Sequence, residues 1–163
     1  MKRLSIICMA LVLAMSLIAC GNTKQSSESE STFIDNANTA ETEDMTTMKM
    51  SVTIGDQSFT ATLEDNAATR ELFKMMEEEP ISINMDDYSG FEKVGSLGKS
   101  LTTDNRQITT QAGDIVLYSG NQIVMFYGSN SWSYTKIGTI DDLSGWEEAL
   151  GKDSVTAVFS LAE

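Results

Sequence analysis

From Met48 onward apolar and polar positions alternate. Met48, Val52 and Ile54 alternate with Lys49, Ser51 and Thr53, and beyond Gly55-Asp56 the pattern resumes as Phe59, Ala61 and Leu63 against Thr60 and Thr62. Period-two alternation on both sides of a Gly-Asp turn predicts a β-hairpin. Asn66 then stands where it can cap a short helix whose Ala68, Leu72, Met75 and Met76 share one face, and Pro80 ends it. Ile81 to Met85 reads as the next strand. Asp87 to Thr110 is polar, glycine-rich and weakly patterned, and reads as a long connection of the kind that often carries function.

The pattern sharpens again at Gly113 to Tyr118 and Gln122 to Tyr127, two β-branched and aromatic runs joined by Ser119-Gly120-Asn121. They predict a second, better-buried hairpin. Tyr134 to Ile140 reads as a strand, Asp141 or Asp142 caps a short helix with Leu143, Trp146 and Leu150 on one side, and Val155 to Leu161 reads as a last strand. Many short strands and two small helices in a segment of this length predict a mainly β domain closed into a barrel. The expected domain runs from 48 to 163.

The first 47 residues obey other rules. Met1-Lys2-Arg3 precedes an apolar run from Leu4 to Ala19 broken only by Ser5 and Ser16, the pattern of an export signal over 1–19. The run is shorter than the roughly 20 residues a spanning helix needs. It ends in Leu17-Ile18-Ala19-Cys20, which resembles the lipobox of bacterial lipoproteins. That resemblance implies cleavage before Cys20 and acylation of its sulfur with a diacylglycerol of the palmitate class, two chains being enough for stable anchoring. Gly21 to Thr47 is rich in Ser, Thr, Asn and Glu, so 20–47 is expected to be a lipidated cysteine followed by a disordered acidic tether. As a flexible coil it reaches roughly 30 Å.

Composition narrows the chemistry. With Cys8 in the signal and Cys20 acylated, the mature domain carries no thiol, and there is no histidine anywhere. Ser-His and Cys-His nucleophilic pairs are therefore excluded, and so is the commonest transition-metal ligand. Neither a cofactor nor a metal site is expected. The full chain has 11 basic and 24 acidic residues; without Lys2 and Arg3 the balance is 9 against 24, a formal charge of −15. Such a surface repels nucleic acid and is read most simply as a solubility device on a monomeric exported domain.

Gln111-Ala112-Gly113-Asp114 before an apolar strand, Phe126-Tyr127-Gly128, Trp132, Tyr134-Thr135-Lys136-Ile137-Gly138 and the helix ending Ala149-Leu150-Gly151 together resemble the bacterial cyclophilin-like domain family, from about Met50 to Phe159. The resemblance implies a cyclophilin-like closed β-barrel with two short helices. It also implies a groove for a peptide or small ligand, with Gln111, Phe126, Tyr127, Trp132 and Tyr134 as candidate ligand-binding residues. Arg106 is the candidate catalytic residue, since a guanidinium held against a prolyl nitrogen stabilises the twisted amide. The alternative for Arg106 is a surface arginine paired with Asp104, and for Gln111 a turn cap. Trp132 lies in a Gly, Ser and Asn stretch with no regular core position, which favours a ligand anchor. The cyclophilin groove histidine has no counterpart here, and Arg106 stands closer to Gln111 than the cyclophilin arginine does. The expectation is therefore a lipid-anchored envelope protein that binds a ligand, ahead of a weak prolyl isomerase acting on exported proteins or a non-catalytic envelope interaction protein.

Overall fold

A computed structural model describes residues Met48–Ala162. The export signal, Cys20 and the tether expected over 1–47 lie outside the described residues. The first alternating segments form β1 (Lys49–Ile54) and β2 (Gln57–Leu63), paired antiparallel with Ile54 opposite Gln57. Gly55 sits between them at φ 57°, a left-handed conformation that a two-residue hairpin turn needs and glycine adopts without steric cost. Helix α1 (Ala67–Glu78) follows. Asn66 Oδ1 accepts from the Thr69 backbone N–H at 3.0 Å, and Asn66 Nδ2 donates to the Lys136 carbonyl at 2.7 Å. One side chain thus caps the helix and ties it to the sheet.

The remaining strands are β3 (Ile81–Tyr88), β4 (Glu92–Ser96), β5 (Arg106–Thr109), β6 (Asp114–Tyr118), β7 (Gln122–Phe126), β8 (Ser131–Ile140) and β9 (Val155–Leu161), with α2 (Trp146–Leu150) between the last two. They pair antiparallel in the order β2-β1-β9-β3-β4-β7-β6-β8, and β2 returns to β8 through Leu63 opposite Gly138. That last pairing closes an eight-stranded barrel. The expected mainly β, closed barrel with two helices is the fold observed.

Strand β5 lies outside the ring. It pairs only with the first half of β8, Arg106 opposite Tyr134 and Ile108 opposite Trp132, while the second half of β8 belongs to the barrel wall. Strands β4 and β5 both fall in the stretch 87–110, where the sequence pattern predicts a long connection. Buried charges on β4 conceal its alternation, since Glu92 and Lys93 are both buried and adjacent. Trp132, expected in a loop, lies on β8.

The interior is filled by alternating residues of the wall strands other than β4, including Met50, Val52, Met85, Ile115, Met125 and Phe159, with Leu72 and Met76 of α1 added to the same cluster. Trp146 opens α2, stands edge-on to Phe59 at 5.0 Å and donates its indole N–H to the Phe126 carbonyl at 2.8 Å. Gly95 of β4 is required by this packing: a Cβ there would lie 2.5 Å from Ile83 Cγ2 and 2.7 Å from the Asn84 carbonyl oxygen. By strand alternation Val94 and Glu92 face the other way, outward.

Candidate functional site

On the outer face of the barrel a second apolar cluster forms from Val116, Val124, Phe126 and Tyr134, with Phe91, Val94 and Ile108 packed on it. An outward face of β6 and β7 would ordinarily be wetted. Here the ribbon of β5 and the first half of β8 folds over it, and Ile108 and Tyr134 supply the cover. Where the cover stops, a cleft of about 480 Å³ opens, bounded by Trp132 and Tyr134 of β8, Tyr118 of β6, Tyr88 of β3 and Glu92 of β4. That volume is in the range of small-ligand sites.

The rim is aromatic and exposed. Tyr88 (59%), Trp132 (55%) and Tyr118 (37%) are three of the four large hydrophobic residues left open to solvent among the described residues, and all three line this cleft. Aromatic rings concentrated around one concavity, with a polar group at its floor, are the composition of a recognition site. Tyr134 forms the buried wall: its ring stands 5.9 Å from that of Tyr118 and 5.8 Å from that of Phe126, and Asn130 Nδ2 donates to its hydroxyl at 3.0 Å. Burial, then the nearby Glu92 charge, hold the Tyr134 phenol above its ordinary value.

Glu92 is the anomaly of the site. The residue is only 6% exposed, yet its Oε2 is buried without a hydrogen-bond partner among the described residues. Desolvation pushes its carboxyl up to about 7 from the ordinary 4.5. A buried acceptor left unsatisfied costs on the order of 1–3 kcal/mol, and more if charged, so such groups are rare and mark functional places.

The residues singled out in the sequence divide among four places. Trp132 and Tyr134 meet in the cleft, and Phe126 does not line it but packs against Tyr134 in the buried cluster. Arg106 is elsewhere: its side chain is 75% exposed, pairs with Asp104 at 2.8 Å and borders a separate hollow of about 150 Å³. That is the surface pairing weighed as the alternative for this residue. Gln111 is exposed on the turn before β6, where its backbone N–H donates to Asp114 Oδ2 at 3.0 Å. Tyr127 borders another hollow, of about 890 Å³, together with Asp87, Leu143 and Glu147. There its hydroxyl donates to Asp87 Oδ1, which also accepts from the fully buried Lys93 ammonium at 2.9 Å. These bonds hold the Asp87 carboxyl below its ordinary range, and burial with the Asp87 bond pushes the Tyr127 phenol up to about 12. Although larger, that hollow has its central polar groups mutually satisfied and only Leu143 as an exposed apolar residue.

Tyr88, Glu92 and Tyr118 are cleft residues that sequence reasoning passed over. Tyr88 had a usable signal: like Trp132, it is an aromatic beside a polar, glycine-bearing stretch, Ser89-Gly90. Glu92 had none, because a lone glutamate in a weakly patterned segment reads as solvated surface.

The fold has a solved counterpart in the solution structure of the hypothetical protein AF2241 from Archaeoglobus fulgidus. The two superpose with a TM-score of 0.55 at 15% identity, over 74% of this chain and 99% of that one, a likeness of fold alone. No curated protein matches the chain. The model of the Cyclophilin-like family matches residues 52–160, from within β1 to within β9 and across every strand of the barrel. The chain belongs to the Cyclophilin-like family.

Proposed function

We propose that this protein is a lipid-anchored envelope component whose barrel binds a peptide or small ligand in the cleft between Trp132, Tyr118, Tyr88 and Glu92, without turning it over. The observation that carries the reading is the unpartnered buried carboxyl of Glu92 at the floor of a cleft rimmed by exposed aromatics. Retaining such a group is costly in a binding-free domain, and a ligand that hydrogen-bonds it removes the cost. Prolyl isomerisation is the weaker alternative, because Arg106, the arginine of the ribbon, is paired with Asp104 and borders a different hollow. The anchor rests on Leu17-Ile18-Ala19-Cys20 behind its basic and apolar lead. The diacylated cysteine would hold the domain at the outer surface of a membrane.

Two measurements test this. Titration of the isotope-labelled chain with pools of short proline-containing peptides and small polar fragments is expected to move the resonances of β4 and of the Trp132 indole. Shifts confined to the Tyr127 and Asp87 region, or none with any pool, would remove the cleft as the site. Mass spectrometry of the membrane-extracted protein is expected to show a diacylated N-terminal Cys20, and a free thiol there would overturn the anchor.

A further inference from the structure

We propose that the cleft recognises an organic ammonium ion that carries N–H donors, with the cation caged by the rings of Tyr88, Tyr118, Trp132 and Tyr134 and hydrogen-bonded to Glu92. The inference rests on the cleft being the ligand site and adds the chemical class of the ligand. Three independent features lead to it. Four aromatic rings from β3, β6 and β8 surround one concavity, and aromatic faces attract cations through their quadrupole. Among the described residues the only ionisable group there other than the phenols is a carboxyl, and no lysine or arginine borders the cleft. Finally, Glu92 Oε2 has no partner among the described residues, so the site holds an unused acceptor where a donor is wanted.

The lack of a partner selects among cations. A quaternary ammonium has no N–H and would leave Oε2 unsatisfied, whereas a primary ammonium donates to it and still presents its methylene groups to the rings. The terminal torsion of a glutamate is soft, so a small rotation turns the inward oxygen toward the ligand without moving the strand. The formal charge of −13 on the whole chain favours the approach of a cation and disfavours an anion. The same chemistry is offered by a free alkylamine and by a lysine side chain of a peptide.

Protonation gives the reading its sign. The groups facing Glu92 are the phenols of Tyr88 from β3, Tyr118 from β6 and Tyr134 from β8, while β7 presents Gln122, Val124 and Phe126; Lys93 lies on the opposite face, bonded to Asp87. Burial holds the Tyr134 phenol above its ordinary value, so Glu92 governs the neutral range. An ammonium requires the carboxylate, and the empty site is held protonated up to about pH 7. Affinity is therefore expected to fall about tenfold per pH unit below 7 and to stay level between pH 7.5 and 9.

The test is a calorimetric and Trp fluorescence titration of the full chain in mild detergent with n-butylammonium, n-butyltrimethylammonium and n-butanol, and with the capped peptides Gly-Lys-Gly and Gly-norleucine-Gly. Expected are at least tenfold tighter binding of n-butylammonium than of n-butanol, weaker binding of the trimethyl form, and loss of both preference and pH dependence in Glu92→Gln. Trp132→Phe abolishes the fluorescence response while buried Trp146 remains as a reference. Tighter binding of the lysine peptide than of the free amine identifies a polypeptide source, and the reverse order a free amine. Equal binding of charged and neutral probes at Trp132, unchanged in Glu92→Gln, would overturn the ammonium while leaving the cleft a binding site. Tighter binding below pH 7 would overturn it in favour of a carbonyl ligand held by the protonated acid. No response from any probe, peptides and fragments included, would overturn both readings.

Discussion

Replacing Glu92 with glutamine should stabilise the domain, and only above the pH at which the free carboxyl ionises. Glu92 is 6% exposed, has an unpartnered Oε2, and carries a carboxyl displaced by burial from 4.5 to about 7. Because the folded state keeps a proton that the unfolded chain has released, stability from this residue is complete below about pH 4.5 and lost as pH rises through 7. One pKa unit corresponds to about 1.4 kcal/mol, so the full displacement sets an upper bound of about 3 kcal/mol. Water in the open cleft screens the charge and brings the expected loss to about 1–2 kcal/mol. Glutamine keeps the shape and never ionises. The difference between Glu92→Gln and the parent should thus be near zero at pH 4.5 and reach about 1–2 kcal/mol in favour of the variant at pH 8, a rise in Tm of roughly 4–10 °C. Asp87, Asp141 and Asp142, whose carboxyls are held low by hydrogen bonds and lysine partners, lose stability in the opposite direction at lower pH. They are present in both proteins and cancel in the difference. Urea denaturation followed by far-UV circular dichroism across pH 4.5 to 8 makes the measurement. A variant less stable at pH 8, or a difference that does not change with pH, would refute the argument by showing that the carboxylate has a stabilising partner.

Three further outcomes are expected. Lys93→Met removes a fully buried ammonium from Asp87 and from the Asp153 carbonyl, which it reaches at 2.8 Å, and should cost about 3 kcal/mol or more in chemical denaturation. Adding Asp87→Asn to that variant should recover part of the loss. Gly138→Ala would place a Cβ 2.5 Å from the Thr62 carbonyl oxygen on the seam that closes the barrel, and should destabilise by about 2 kcal/mol in the same assay. In a protease-coupled prolyl peptide assay the domain should show little or no isomerase activity, with Arg106→Ala indistinguishable from the parent; a cyclophilin-like rate lost in that variant would restore the catalytic reading.

Local pattern carried most of the barrel. The hairpin of β1 and β2 and the capped helix after Asn66 are legible because inward positions are apolar and outward positions polar, and the pair β6 and β7 because two wholly apolar runs flank a glycine-bearing turn, so short-range rules and the final fold agree. The ribbon was illegible for a different reason. Arg106, Gln107 and Thr109 of β5 are exposed and only Ile108 packs, so nothing within the strand announces that it will cover the outer face of β6 and β7. Its role exists only once the barrel has brought Val116, Val124 and Phe126 side by side. The same holds for the cleft: Tyr88, Tyr118 and Trp132 are separated along the chain and converge only through the antiparallel order β3-β4-β7-β6-β8.

Strand β4 shows most plainly why the site escaped the pattern. Its first two residues carry opposite charges and are both buried, Glu92 at the outer cleft and Lys93 on the other face of the sheet. A polar-polar start gives a strand no apparent inside. The two charges are nonetheless treated in opposite ways: the lysine is satisfied by Asp87, by the Asp153 carbonyl and by the Tyr127 ring at 5.7 Å, while the carboxyl of its neighbour has an oxygen left unpaired. Two amide side chains, Gln122 and Asn130, border the same cleft, and neither bonds this oxygen. Asn130 instead donates to Tyr134 and fixes the aromatic wall. The protein therefore spends Asn130 on holding a ring and leaves an oxygen of the acid unpaired, which is why the proposed binding face is the cleft of Glu92 rather than the larger hollow around Tyr127, where the buried lysine and its carboxylate satisfy each other.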